Sequence, residues 1–413
     1  MAACCGWQER TCTFSSSLCT RCNVCIVIGT NIYVRFLSVE RDARALLPEK
    51  MIEGTCQLCS YTRAMGQPGA LSRTVLALSW LLLGLAMIAV PSWLGWTRWP
   101  AILNGHPAML IGGIACGLLG FIAVAWSIGT LAIGGRQDRE GDPDHPARRT
   151  TEQVLRRARR RIILAVPFLV LSFLLVVVLA YARPFVATPT AVAAIRSEND
   201  VQFSDRLGWY ELVPVRQDSA GEDIKPTTGF VFVPGARIDS RAYAPVLRPL
   251  AEAGYLVAVL KEPFGFATLD ADHGKKVLDL HPEIAHWVVG GHSLGGTVAA
   301  YVADQYELVE GLVLFASYPA DPIIREDLIV VSISGTSDGF TTPADIEASK
   351  AELPPGTYFV VINGAVHSSF GDYGAQPGDG TPTIDPSVAQ TEISDATLAL
   401  LAAVAPPPPP EKE

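Results

Sequence analysis

Residues 288–298 read Val-Val-Gly-Gly-His-Ser-Leu-Gly-Gly-Thr-Val. Within them, Gly291-His292-Ser293-Leu294-Gly295 places a serine between glycines two residues away on either side. A serine at a tight strand-to-helix turn has strained backbone angles and an outward hydroxyl, and strand and helix cross so closely there that only small residues fit the flanking positions. The chemistry open to such a serine is attack on a carbonyl carbon. Its hydroxyl is barely ionised at neutral pH, so it needs a base, and the base needs a group to orient it. Two residues stand where they could serve. Asp338 lies in Gly335-Thr336-Ser337-Asp338-Gly339 after the β-rich run 328–334, and His367 ends Asn363-Gly364-Ala365-Val366-His367 after the run 358–362. Each falls just past the C-terminal end of a strand, where open parallel sheets place their sites. Histidine suits a base because the residue type titrates near neutral pH, and aspartate suits the role of fixing its tautomer and stabilising its cation.

The bland alternatives are definite. A glycine-rich turn can use its serine only to cap the following helix. Asp321, Asp327 and Asp345 compete for the acid, but none ends a strand in a glycine-flanked turn. His273, His281 and His286 precede the serine, and His292 is expected to point away from it. Asp372 and Asp379 suggest a calcium loop, but the glycines around them favour a solvated turn. No metal and no cofactor is implied.

These side chains must be held by an alternating framework. Residues 209–215, 229–233, 255–260, 284–289, 308–315, 328–334 and 358–362 read as strands, while 243–253 and 297–306 read as helices. Strands separated by helical segments predict an α/β fold, a mainly parallel doubly wound sheet with helices on both faces.

Between about residues 228 and 381 the chain resembles the α/β-hydrolases, most closely the compact lidless branch related to dienelactone hydrolases. The resemblance is carried by Val-Pro-Gly-Ala at 233–236, Tyr-Ala-Pro-Val-Leu-Arg-Pro-Leu-Ala-Glu-Ala-Gly-Tyr at 243–255, Gly-Gly-His-Ser-Leu-Gly-Gly at 290–296, Gly-Thr-Ser-Asp-Gly at 335–339, and His367 with Phe370-Gly371-Asp372-Tyr373-Gly374. The chain order Ser, Asp, His is that of this fold. The resemblance implies a catalytic triad of Ser293, Asp338 and His367 and an oxyanion hole made by the N–H groups of Leu294 and Ala236. Two departures stand out. Pro234-Gly235 replaces the His-Gly of many relatives, which backbone donors tolerate, and dienelactone hydrolases use a cysteine nucleophile where this chain has serine. Serine points to general ester chemistry, on carboxylic esters or thioesters, with a small-molecule ester as substrate. The alternatives are an acyltransferase using the same triad and a catalytically silent, membrane-tethered binding protein. Only about eight residues separate Pro319 from the next strand, too few for an inserted lid, so an open cleft with no interfacial preference is expected.

The first half of the chain differs in kind. Residues 74–96, 108–133 and 162–182 are apolar runs of about 30 Å or more at 1.5 Å per residue, enough to cross a bilayer. Trp93, Trp96 and Trp99 mark a headgroup level. Nine arginines fall between Gly134 and Arg161, a topology signal that predicts a cytoplasmic loop and hence an extracytoplasmic catalytic domain on a multi-pass protein of the cell membrane. Residues 184–413 carry 31 acidic against 13 basic side chains, which excludes nucleic acid as a partner. Eight of the nine cysteines precede residue 60. Cys19-x-x-Cys22 and Cys56-x-x-Cys59 could hold zinc, but the gap between them is about twice that of a zinc ribbon. The expectation is instead that this segment is dispensable, with a native start near Met65. The organisation is thus 1–64 Cys-rich, 65–183 membrane anchor, 184–200 tether, 201–405 hydrolase domain and 406–413 Pro-rich tail.

Overall fold

In the computed structural model the described residues are 68–137, 151–198, 200–217 and 221–406. The cysteine pairs, the possible start at Met65 and most of the Pro-rich tail lie outside them, as does part of the arginine-rich connection. Three long helices come first: α1 (Pro68–Asn104), α2 (Pro107–Gln137) and α3 (Thr151–Tyr181). All three contain stretches long and apolar enough to cross a membrane. Helix α1 kinks at Arg98 (φ −134°, ψ 15°), two residues before Pro100, whose ring cannot accommodate a straight helix in the preceding turn. Helices α1 and α2 run antiparallel and touch through glycine: a Cβ on Gly84 would lie 2.9 Å from the Gly120 carbonyl oxygen, so only glycine permits this approach.

The rest is a three-layer α/β domain. Its eight strands are β1 (Val201–Asp205), β2 (Trp209–Pro214), β3 (Thr228–Val233), β4 (Leu256–Leu260), β5 (His286–His292), β6 (Val309–Phe315), β7 (Ile329–Gly335) and β8 (Tyr358–Ile362). They form one sheet in the order β1-β2-β4-β3-β5-β6-β7-β8, antiparallel at β1–β2 and β2–β4 and parallel elsewhere. The inner strands are continuous apolar runs because both faces are covered; every residue of β3 and β4 is buried. On one face pack α4 (Pro189–Ala194), α5 (Ala244–Glu252) and α9 (Pro386–Val404), around Phe230, Phe232, Leu247, Phe315 and Leu401. On the other lie α6 (His273–Leu280) and α7 (Leu294–Gln305), around Val231, Trp287, Val289 and Leu312. Helix α8 (Pro343–Ser349) follows β7 and opens on a Thr342–Asp345 capping box. Strand β1 and helices α4, α6, α8 and α9 add to the elements expected from sequence.

Residues 184–195 pack onto this domain. The Phe185 N–H donates to Arg237 O at 2.7 Å, and the Thr188 hydroxyl donates to Asp372 Oδ2 at 2.5 Å. Asp372 thus fastens the connection from α3. Between β6 and β7 no helix intervenes, in keeping with the short spacing there.

Candidate active site

The turn between β5 and α7 is as tight as its glycines imply. A Cβ on Gly291 would lie 2.5 Å from the Gly295 carbonyl carbon, so strand and helix are in backbone contact. Ser293 sits at the apex with φ 53° and ψ −128°, a region costly for a residue with a Cβ. Its side chain accepts no capping bond from α7, which removes the simplest structural role for it. Its hydroxyl has no hydrogen-bond partner among the described residues, while its carbonyl accepts the Ser317 hydroxyl at 2.6 Å and its N–H donates to Phe315 O at 3.0 Å. The backbone is pinned and the nucleophilic atom is left free.

Asp338 and His367 meet. The His367 Nδ1 lies 2.9 Å from Asp338 Oδ2 and 3.1 Å from Oδ1, and both residues are buried, at 2% and 5% exposure. Asp338 Oδ1 also accepts the N–H groups of Phe340 (2.8 Å) and Thr341 (2.7 Å), so the carboxylate cannot swing away. The His367 ring packs on that of His292 at 4.5 Å between centroids, which brings it beside the elbow that carries Ser293. Leu294 begins α7, and Ala236 follows β3 next to Gly235. Among the described residues neither N–H donates a hydrogen bond, so both donors remain available to an oxyanion.

His292 points into the interior, as its place on the strand suggested. The Tyr243 hydroxyl accepts the Gly235 N–H at 2.9 Å and shares a hydrogen bond with His292 Nδ1 at 2.9 Å. Burial, reinforced by the neighbouring His367, holds the His292 pKa well below its ordinary value, and burial raises that of Tyr243. Both stay neutral and tie the β3 loop to the elbow. The competing residues lie elsewhere: Asp321 is exposed between β6 and β7, Asp327 pairs with Arg325, Asp345 caps α8, His281 bonds Glu211 and Glu283, His286 bonds Glu310, and His273 faces Glu262.

Asp379 has a role beyond the solvated turn expected of it. It closes the exposed turn at Pro377 and Gly378, its N–H donating to Gln376 O at 3.0 Å, and both oxygens of its carboxylate are engaged. Its Oδ1 accepts the N–H groups of Gly339 (3.2 Å), His367 (3.1 Å) and Gly380 (2.8 Å), while Oδ2 accepts the Ser368 N–H (2.8 Å) and hydroxyl (2.9 Å). Partial burial alone would raise its pKa, but these donors more than offset that and hold the carboxyl below its usual range. One carboxylate therefore joins the loop of Asp338 to that of His367.

Among the described residues four non-glycine positions take positive φ: Arg237 (62°), Phe264 (52°), Ser293 (53°) and Ala316 (44°). They follow β3, β4, β5 and β6 in turn. Strain is concentrated on the C-terminal edge of the sheet, where functional sites in such sheets lie.

The sheet, the elbow and the loops that carry Asp338 and His367 define an α/β-hydrolase fold. Residues 229–392 match the family model described as Alpha/beta hydrolase family, and the chain carries a domain of that fold. No curated protein matches the chain. Similar solved structures include a thermophilic esterase of Thermogutta terrifontis, 14% identical, with 52% of this chain and 95% of that one covered and a TM-score of 0.35. An alpha/beta hydrolase enzyme from the metagenome of sediments of the Mar Chica lagoon, Morocco, is 17% identical, with 41% and 90% covered and a TM-score of 0.33. An alpha-beta serine hydrolase homologue from Coxiella burnetii is 15% identical, with 51% and 99% covered and a TM-score of 0.33.

Proposed function

We propose that the chain is a membrane-anchored serine hydrolase that cleaves carboxylic ester or thioester bonds through an acyl-enzyme intermediate. The observation that carries this is the buried His367–Asp338 pair set against an elbow whose serine has a strained backbone and an unengaged hydroxyl. In the first step Ser293 Oγ attacks the carbonyl carbon and His367 takes the hydroxyl proton through its free ring nitrogen. Asp338 keeps the imidazole in the required tautomer and stabilises its cation. The oxyanion that forms is met by the N–H groups of Leu294 and Ala236, the former at the positive end of α7. Collapse expels the alcohol or thiol with the proton from His367. Water, deprotonated by the same histidine, then releases the acid and restores Ser293. The Ser293–His367 hydrogen bond would close with substrate present, since such bonds are often long in empty sites.

Serine as the nucleophile favours general ester chemistry over the lactone reaction of the dienelactone hydrolases, whose branch the motifs at 233–236 and 290–296 resemble. The three apolar helices support an anchoring role, since residues 74–96, 108–133 and 162–182 contain no Asp, Glu, Lys, Arg or His. A fluorophosphonate probe applied to the full-length protein tests the assignment. Labelling mapped to Ser293, and lost in Ser293→Ala, is expected; labelling elsewhere, or none, would contradict it.

A further inference from the structure

The hydrolase domain is seated on the membrane helices by the same edge that carries Ser293. The Gly84–Gly120 and Pro91–Gly113 contacts set one antiparallel register for α1 and α2. That register brings Trp93 level with the stretch around Gly112. The Arg183 guanidinium, just past the end of α3, lies 4.8 Å over the Trp93 ring, and Trp96 is 91% exposed. This is the level at which tryptophans meet lipid headgroups.

The loop after β4 reaches that level. The Phe264 ring comes within 3.0 Å of where a Gly112 Cβ would be, and Phe266 stacks on Tyr181 at 6.0 Å between centroids. The loop after β3 is held beside it. The Arg237 N–H donates to Gly265 O at 2.7 Å, its guanidinium donates to Tyr181 O at 3.0 Å, and the same group lies over the Tyr181 and Phe185 rings. Past the tryptophan level, the tip of the α1–α2 hairpin meets Pro234, Gly235 and Glu262 around a cavity of about 50 Å³. Gly235 in turn abuts His292, with its absent Cβ only 2.7 Å from the imidazole Nδ1, and His292 precedes Ser293. From the bilayer surface to the nucleophile is therefore a path of a few residues, two of them in strained conformations. Around the site, Phe340 stands edge-on to His367 at 5.2 Å and is 43% exposed, and Tyr318, beside the Ser317 that bonds Ser293, is 40% exposed. Apolar surface is thus available at the mouth.

We propose that the substrate is an acyl ester of a membrane amphiphile, entering from the leaflet on which the hydrolase domain sits. This rests on the reading of Ser293 as nucleophile and of α1–α3 as spans. The ester carbonyls of a bilayer lipid lie near the headgroup level, so a site facing that level reaches them while the acyl chain stays largely in hydrocarbon. Drawing the chain into water would be costly in proportion to its methylenes. The ester C–O bond breaks as the Ser293 acyl bond forms, the serine proton passes through His367 to the departing alcohol, and water then yields the free fatty acid. The short segment between β6 and β7 predicts an open cleft indifferent to interfaces. The helices packed along the catalytic edge reverse that expectation.

The test uses the full-length protein in phosphatidylcholine nanodiscs, with dioleoylglycerol supplied either in the same disc or in separate vesicles, and nitrophenyl butyrate as the soluble control. Same-disc dioleoylglycerol or host lipid should be cleaved at least tenfold faster than vesicle lipid. Cleavage of the butyrate but not of same-disc lipid would overturn the proposal and leave the hydrolase assignment standing. Absence of both cleavage and Ser293 labelling would remove the assignment, and the proposal with it. A fluorophore placed on Ser293 by a fluorophosphonate gives a second readout: headgroup-level quenchers in the disc should dim it, and an unquenched signal would also overturn the proposal.

Discussion

Asp379 does no chemistry in the proposed reaction, yet it accepts hydrogen bonds from both the Asp338 and the His367 loops. Each backbone N–H left without an acceptor in such a setting costs about 1–3 kcal/mol. Asp379→Ala should therefore lower stability by at least that amount and reduce turnover, because the Asp338 and His367 loops lose their common tie; Asp379→Asn should lose less. Thermal melts and ester turnover measured on both variants check this, and a variant with native stability and turnover would show the tie to be idle. The sequence could not display it. Apart from the Ser368 hydroxyl and the adjacent Gly380, the partners of Asp379 are backbone groups 11, 12 and 40 residues away, and backbone groups leave no trace in residue type. Ser293, Asp338 and His367 were legible because each stands at a strand end in a glycine-marked turn, a purely local signal. Their chemistry predicts that Asp338→Asn lowers turnover roughly 10²- to 10⁴-fold while the fold persists.

At the scale of elements, the strands announced themselves as apolar runs: of the seven expected, 358–362 is found unchanged and five others differ by no more than one residue at either end. Residues 284–289 were the exception, since β5 starts later and runs on to His292. Strand β1 was not visible because Val201-Gln-Phe-Ser-Asp is short and largely polar, and only its antiparallel pairing with β2 makes it a strand. A buried polar tie links this edge to the end of α6. His281 Nε2 lies 3.2 Å from Glu211 Oε1 on β2, and Trp209 Nε1 donates to the same oxygen at 2.6 Å. The hydrogen bond to Glu211 is the largest cause raising the His281 pKa above its ordinary 6.5. Burial pushes Glu211 up, but its bonds to His281 and Trp209 bring it below its ordinary 4.5. The histidine contribution to stability is complete below pH 6.5 and is lost as pH rises through the raised folded value. The glutamate contribution is complete above pH 4.5 and is lost as pH falls through the depressed one. The melting-temperature deficit of Glu211→Gln should thus be largest between those limits and shrink on the alkaline side. A deficit that does not vary with pH would refute the linkage.

At the scale of the whole molecule, the apolar runs predicted three spans, and the helices have the length and composition to cross a bilayer. What the sequence could not convey is that the domain rests on them. Phe264 and Gly112, or Arg237 and Tyr181, are pairs separated by 56 residues or more, and no local pattern couples them. The arginine-rich connection between α2 and α3 leads us to expect a catalytic domain outside the cytoplasm. Protease added to intact cells should remove the Ser293 domain and its activity, whereas protection until lysis would reverse the orientation.

In the proposed reaction one atom, the Ser293 hydroxyl oxygen, is the nucleophile. Ester hydrolysis by full-length protein in nanodiscs, compared with Ser293→Ala at equal folded concentration, measures its role. We predict a fall of roughly 10⁴- to 10⁶-fold with an unchanged melting temperature; turnover undiminished in Ser293→Ala would contradict the assignment of this site.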